Sequence, residues 1–334
     1  FCIRNLQKVI IPDFIKTIGP FAFDECADIK TIEISNDSQL KTIEKKAFYH
    51  ARIDRFTIPP HLTKICNYAF SCCSLQKGFE IPENSELETI EDGTFTFSEI
   101  EKFTIPPHLT KINRKVFFCS RLKEIVIPSD SRLKTIEKSA FCESDIESLS
   151  IPSNLIDLKD GWCSKTYVLN SINVSPNNPC YKIYQNSFIL GKTVKESDDF
   201  DVLLFCVRNI NIKKLTIPNF IKKIGPYAFE QCFNLQSVEF TCDSKVEIIG
   251  RKAFSQTNIA KITIPSQVTQ ICDKAFYDSR IKKIDFCHKS QLKKIGNSAF
   301  QRTPIKSFSF PHHIEIGHSI LHECDDLLIV EIDE

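Results

Sequence analysis

Residues 122–141 read Leu122-Lys123-Glu124-Ile125-Val126-Ile127-Pro128-Ser129-Asp130-Ser131-Arg132-Leu133-Lys134-Thr135-Ile136-Glu137-Lys138-Ser139-Ala140-Phe141, and this stretch decides the fold. In its first half Leu122, Ile125 and Ile127 follow the pattern Leu-x-x-Ile-x-Ile-Pro. Alternate β-branched apolar residues mark a short, half-buried strand. Proline lacks an amide proton and keeps its predecessor extended, so Pro128 ends that strand at one register. The second half follows Leu-x-x-Ile-x-x-x-Ala-Phe, with Leu133, Ile136, Ala140 and Phe141 as its apolar set.

The pattern extends outward in both directions. The position of Ile127 recurs at Ile11, Ile34, Ile58, Ile81, Ile105 and Ile151, at steps of 22 to 24 residues. Val174 keeps the phase, and after a break Ile217, Phe240, Ile264, Phe286, Phe310 and Ile332 resume it. Nine of the sixteen prolines follow such an anchor: Pro12, Pro59, Pro82, Pro106, Pro128, Pro152, Pro218, Pro265 and Pro311. The Phe141 position recurs at Phe23, Phe48, Phe70, Phe95, Phe117, Phe229, Phe254, Phe276 and Phe300. One such unit is too small to hide a phenylalanine and four or five aliphatics, whereas stacked copies cover one another. The expected fold is therefore a solenoid of about fourteen coils. Short strands would form a parallel sheet on the concave face, with turns and helical turns on the other side. At about 4.8 Å per strand it would extend roughly 65 Å along the sheet. Coils also alternate in kind. Phe23, Phe70 and Phe117 are 47 residues apart, as are Phe48 and Phe95, which points to a duplicated two-coil unit.

Composition narrows the function classes. The 334 residues are 42% hydrophobic and 25% charged, which suits a folded domain with a continuous core. The 43 basic and 42 acidic residues leave a net charge of +1, so no global field exists to hold nucleic acid or an anionic membrane. The longest apolar run, 327–332, is far too short for a transmembrane segment. No signal or anchor is visible. The chain opens on Phe1 inside a repeat and holds no Met, as a fragment or processed product would.

The repeat Leu-x-x-Ile-x-Ile-Pro...Leu-x-x-Ile-x-x-x-Ala-Phe-x-x-Cys resembles the BspA-like (Treponema-type) leucine-rich-repeat family over essentially the whole chain. Gly161-Trp162-Cys163, Val174-Ser175-Pro176-Asn177-Asn178 and Ile189-Leu190-Gly191-Lys192 resemble the interrupting hairpin of parasitic-protist members. The resemblance implies a leucine-rich-repeat solenoid at the cell surface or outside the cell, adhering to host cells or matrix proteins. Cys163 departs from the pattern by standing where Phe is usual.

The break separates an N-terminal array, 1–159, from a C-terminal array, 211–334, within one continuous solenoid. The interrupting segment, 160–210, is expected to hold two strands, 184–190 and 202–207, joined by the polar loop 191–201. Two readings of this hairpin stand. It is a structural clip, the commoner role of insertions in solenoids, or a binding loop exposing Lys192, Lys195, Glu196, Asp198 and Asp199.

Candidate chemistry is sparse. The fifteen cysteines are odd in number and contain no Cys-x-x-Cys pair. Cys26, Cys72, Cys119, Cys232 and Cys324 each lie three residues before a strand's first apolar residue, a phase expected of small buried side chains. Members 46 or 47 residues apart sit two coils, about 9.6 Å, from one another, beyond the reach of a disulfide. Cys66 and Cys272 share another phase, after Ile65 and Ile271. His61 and His108 repeat one Pro-Pro-His-Leu turn, while His318, His322 and Cys324 fall where a final coil must end. No nucleophile with a base, no phosphate loop and no dinucleotide fingerprint appears, so no catalytic, cofactor or metal site is expected. Two sequons, at Asn36 and Asn173, are short enough to arise by chance.

What remains is a surface. Side chains beside the anchors should point outward as columns along the sheet. One holds Thr57, Glu80, Thr104, Val126, Ser150, Thr216, Glu239, Thr263, Asp285, Ser309 and Glu331. The other holds Lys8, Arg55, Lys102, Glu124, Lys214, Lys261 and Lys283. Mixed charge and polarity suit a protein or glycan partner better than a phosphate polymer. An ordinary soluble strand face would look similar, since Thr forms strands well and charges discourage aggregation. The expected function is non-enzymatic binding through Arg55, Thr57, Glu80, Lys102, Thr104, Glu124, Lys214, Thr216, Glu239, Lys261, Thr263 and Asp285, with no obligate oligomer. An intracellular scaffold, cytoplasmic and binding proteins, is the alternative.

Overall fold

The computed structural model describes residues 6–75, 77–128, 130–208, 211–310 and 313–332. Pro311, one of the nine anchor prolines, lies outside the described residues. The chain forms two compact units, Phe1–Pro179 and Cys180–Glu334. They are parallel-strand β-solenoids with about fourteen turns in all, eight in the first and six in the second.

Each turn begins with the strand that the Ile-Pro pattern foretells. In Phe1–Pro179 these strands form two four-stranded parallel sheets. One runs Lys8–Ile11, Thr31–Ile34, Arg55–Thr57, Gly78–Glu80; the other Lys102–Thr104, Glu124–Val126, Ser148–Ile151, Ser171–Val174. In Cys180–Glu334, Lys214–Ile217, Ser237–Phe240, Lys261–Ile264 and Lys283–Phe286 form a third, and Ser307–Phe310 pairs with Ile329–Ile332. Residues 160–174 keep this geometry, because Ser171–Val174 pairs in register with Ser148–Ile151.

The Leu-x-x-Ile half carries a second, two-residue strand, as at Lys64–Ile65, which makes its own parallel ladder with Thr42–Ile43 and Thr89–Ile90. Beyond it the expected helical turns are single turns closed by i→i−3 bonds, and none extends into a helix among the described residues. They contain an unusual backbone feature. Lys46 and His50, at φ 55° and 57°, flank Ala47, Phe48 and Tyr49, and the same pair of left-handed residues recurs from coil to coil. Left-handed backbone costs an L residue roughly 1–2 kcal/mol. The offset is a third ladder between coils. The N–H groups of Lys46, Phe48 and His50 donate to the carbonyls of Asn67, Ala69 and Ser71 at 3.1, 2.8 and 3.0 Å. Lys252, Phe254 and Gln256 repeat the arrangement to Asp273, Ala275 and Tyr277.

Inside this frame the phenylalanines stack. From Phe23 through Phe48, Phe70, Phe95 and Phe117 to Phe141, successive ring centroids lie 5.1 to 5.7 Å apart, within 15° of parallel. Phe229, Phe254, Phe276 and Phe300 form the same column in the other unit. Offset stacks of buried rings add about 0.5–1.5 kcal/mol per pair to the large apolar area removed from water. Where Cys163 replaces Phe, Trp162 occupies the preceding alanine position and meets Phe141 edge-on at 6.3 Å.

The hairpin differs from expectation. The segment 184–190 is not one strand. It folds back between Lys182–Tyr184 and Phe188–Gly191, turning on Gln185 and Asn186, both left-handed. Val202–Cys206 then pairs antiparallel to Phe188–Gly191 and parallel to Lys223–Ile224, so the hairpin begins an eight-stranded sheet that carries the unit's second strands. Its strands are largely buried, whereas Lys195, Glu196, Asp198 and Asp199 of the loop are exposed.

Asp201 closes that loop. Its carboxylate, 4% exposed, accepts the Thr193 N–H at 2.8 Å and lies 3.0 Å from Lys222 Nζ. Burial pushes its acidity down, yet the bonds from Thr193 and Lys222 outweigh burial and hold its pKa below the usual value. A depressed carboxylate stabilises the fold fully above the unfolded pKa of about 3.9 and loses that contribution as pH falls through the folded value. Asp201→Asn is expected to cost about 1 to 2 kcal/mol at pH 7. Urea titrations of both proteins should show the gap narrowing below about pH 4; a constant gap down to pH 2 would contradict this role.

Candidate binding surface

Strand register fixes which side chains share a face. Arg55 stands beside Gly78 and Thr57 beside Glu80; Lys102 stands beside Glu124 and Thr104 beside Val126. In the second unit Lys214 stands beside Ser237, Thr216 beside Glu239, Lys261 beside Lys283 and Thr263 beside Asp285. Of the twelve expected surface residues, eleven are exposed and Asp285 is half-buried. Alternation along each strand explains this, since Phe56, Phe103, Leu215 and Ile262 occupy the intervening inward positions. Six of the twelve lie on each unit.

The charges in these columns partner one another. Lys8 Nζ reaches Glu33 at 2.6 Å, Lys102 reaches Glu124 at 2.8 Å, and Lys214 reaches Glu239 at 2.7 Å. Glu80 takes Arg55 at 3.5 Å and the Thr57 hydroxyl at 2.8 Å. Asp285 takes Lys261 and Lys283 at 2.9 and 3.1 Å. Burial acts against the Asp285 carboxylate, but these two lysines prevail and lower its pKa. The pairing follows from the two-coil period. One coil presents a basic residue and Thr, as in Lys214-Leu215-Thr216, and the next presents an acid, as in Ser237-Val238-Glu239. Glu33 belongs to this set and was absent from the expected residues, although Thr31-Ile32-Glu33-Ile34 shows the same alternation.

Exposed ion pairs contribute only about 0–1 kcal/mol each. They can therefore be exchanged for a partner's charges at little cost, while their side chains are already held in place. Gly78 adds relief to the face. It fills the column position of Arg55 and Lys102 with no side chain, has φ 113°, and has open space where a Cβ would project.

Along the strand face and its turns the thiols are not activated. Burial pushes the Cys66 thiol up to about 11, and burial together with Glu143 pushes Cys119 up to about 12. Thiols of that kind are poor nucleophiles. The expected common burial of the five phased cysteines holds for Cys26, Cys232 and Cys324 only. Cys72 and Cys119 are half-exposed left-handed turn residues, because they follow their phenylalanines by two positions, whereas Cys26 and Cys232 follow by three. Among the described residues no group of three His, Cys, Asp or Glu side chains is placed to hold a metal ion. Cys324 points inward to the Phe300 carbonyl at 3.2 Å, while His318 and His322 are exposed. No helix among the described residues is long and apolar enough to cross a membrane.

Stacked parallel coils with a polar strand face define a leucine-rich-repeat solenoid. The particular kind follows from sequence: the family described as BspA type leucine rich repeat region matches residues 1–118, 77–195 and 204–328, and the chain belongs to that family. None of the curated proteins is detectably similar. Three solved structures share the fold. The pneumococcal vaccine antigen PcpA is 21% identical with a TM-score of 0.68, covering 99% of this chain and 79% of its own. A leucine rich cell surface protein from Faecalibacterium prausnitzii is 21% identical with a TM-score of 0.60, covering 98% and 79%. A leucine-rich repeat protein from Bacteroides ovatus is 20% identical with a TM-score of 0.57, covering 100% and 85%. Repeats of this family serve generally as non-enzymatic, protein-binding scaffolds, and no catalytic family is indicated.

Proposed function

We propose that the chain is an adhesion protein that binds protein or glycan partners through its strand face, at the cell surface. The observation that carries this reading is, on each unit, a registered row of polar side chains whose charges are mutually neutralised. Such a face has no net field to attract phosphate polymers, but offers donors and acceptors at a fixed repeat. Cell-surface placement is supported by family membership and by the surface protein among the structural relatives. A second reading, an intracellular scaffold, is favoured by one observation: the fourteen described cysteines are all thiols.

The test is binding of the purified chain to immobilised matrix proteins and to a glycan array. Changing Lys102, Glu239 and Lys261 together to alanine should weaken the strongest interaction at least about tenfold while leaving circular dichroism unchanged. An unaltered affinity would remove the strand face from consideration. Antibody labelling of intact against permeabilised cells separates the two locations, and labelling only after permeabilisation would favour the scaffold.

A further inference from the structure

In a regular coil the carbonyl of the alanine before the stacked phenylalanine accepts an N–H from the coil before it, as Ala253 O does from Phe229. Ala228 lies in the coil that follows the hairpin, and there the hairpin supplies the donors. Cys206 N–H reaches Ala228 O at 2.9 Å. The guanidinium of Arg208, a buried residue, adds Nη1 to Ala228 O at 3.1 Å and Nη2 to Tyr227 O at 2.7 Å. The same Nη1 lies 3.5 Å from Cys232 Sγ. The Cys206 thiol donates to Val207 O at 3.4 Å, and Cys206 and Cys232 line one buried cavity at this junction.

We propose that Cys206 and Cys232 form an oxidisable pair that a peroxide converts into a reversible disulfide, stapling the hairpin to the coil that follows it. Three observations support the assignment. First, the fold needs no thiol at the position of Cys232. Ser98, Ser120, Ser144 and Thr257 occupy it in other coils, and their hydroxyls donate to the phenylalanine carbonyl three residues back at 2.7 to 2.9 Å. Second, Cys232 Sγ lies beside a fixed buried cation, the Arg208 guanidinium, which favours a thiolate there. Cys206 and the Arg208 guanidinium lower the Cys232 pKa against burial and the nearby Glu230, whereas burial raises its partner Cys206 and also Cys66, Cys73, Cys119 and Cys272. Third, Cys206, Arg208 and Cys232 line one narrow cavity together with Phe188, Phe229 and Leu235, which brings both cysteines and the cation to a single buried site too tight for a bulky disulfide.

The chemistry balances in two steps. The Cys232 thiolate attacks hydrogen peroxide, the O–O bond breaks, and Cys232 becomes a sulfenic acid as hydroxide departs and takes up a proton to form water. The Cys206 sulfur then attacks the Cys232 sulfur, forming S–S and breaking S–O. The Cys206 proton leaves with the hydroxyl as a second water. Two thiols are oxidised by two electrons and one peroxide is reduced.

The purified chain is treated with dilute hydrogen peroxide, alkylated and mapped by mass spectrometry. A peptide pair joined through Cys206 and Cys232, lighter by two hydrogens and released by dithiothreitol, is the expected product. The oxidised protein should melt several degrees higher than the reduced one. Arg208→Gln should slow the bridge about tenfold through loss of thiolate. Should that variant fail to fold, Cys206→Ser decides the matter, because oxidation must then stop at a sulfenic acid on Cys232 that dimedone traps. The proposal is overturned if both cysteines stay alkylatable after peroxide, if Cys232 bridges elsewhere, or if Cys206→Ser yields no dimedone adduct at Cys232.

Discussion

Replacing Phe95 with alanine is expected to destabilise the Phe1–Pro179 unit by about 3 to 5 kcal/mol, the range for deleting a fully buried aromatic ring from a packed core. Phe95 is 0% exposed and meets four rings: Phe70 at 5.7 Å, Phe79 at 4.9 Å, Phe103 at 5.4 Å and Phe117 at 5.6 Å. These rings belong to its own coil and to the coils on either side. The cavity cannot close without moving two neighbouring turns, which their backbone ladders resist. The measurement is urea denaturation followed by circular dichroism, with Phe97→Ala as control. Phe97 is 55% exposed and two residues away, and its loss should cost less than about 1 kcal/mol. Equal effects from the two substitutions would mean that the stacked column is not what holds the coils together.

Gly250→Ala should be nearly as damaging, for the opposite reason. A Cβ at Gly250 would lie 2.7 Å from Gly225 C, from Ile224 O and from Pro226 N, and all three are backbone atoms of the preceding coil. No flexible side chain is there to give way, so the coil spacing itself must open. Overpacking of this kind costs typically 1–3 kcal/mol, and the upper end, about 3 kcal/mol, is expected here. Gly19 offers the comparison, since nothing lies within 4 Å of its Cβ position and Gly19→Ala should be neutral or slightly stabilising. The same denaturation experiment on the two alanine variants checks the contrast. Similar midpoints would show that the neighbouring coil can retreat at no cost.

Much of this architecture was legible in residues 122–141. Strand alternation, the proline stop and the recurring phenylalanine each carry a period that only stacking satisfies, and the strands and ring columns stand where that period puts them. The second strand was hidden because Leu-x-x-Ile has no alternation over two residues to separate it from a turn of helix. The left-handed turn residues were hidden more deeply. Lys46, Tyr68 and Cys119 carry no glycine or asparagine signal, and only the bonds to the next coil hold them at positive φ. The turn at Gln185 and Asn186 had a weak signal in its asparagine, masked by the apolar residues around it. On the surface, the outward positions followed from alternation alone. That Lys214 would be occupied by Glu239 did not, because the contact joins side chains two positions and one coil apart, an adjacency that appears only when register is known.

Among the described residues every ladder joins a coil to its immediate neighbours, and on the strand face the acid and base that neutralise each other sit in one coil or in adjacent coils. A recombination event that adds or deletes one 47-residue pair would therefore leave each surviving turn with a partner of the same shape and opposite charge. Length in such a molecule is a quantity that heredity can adjust in whole steps without relearning how to fold.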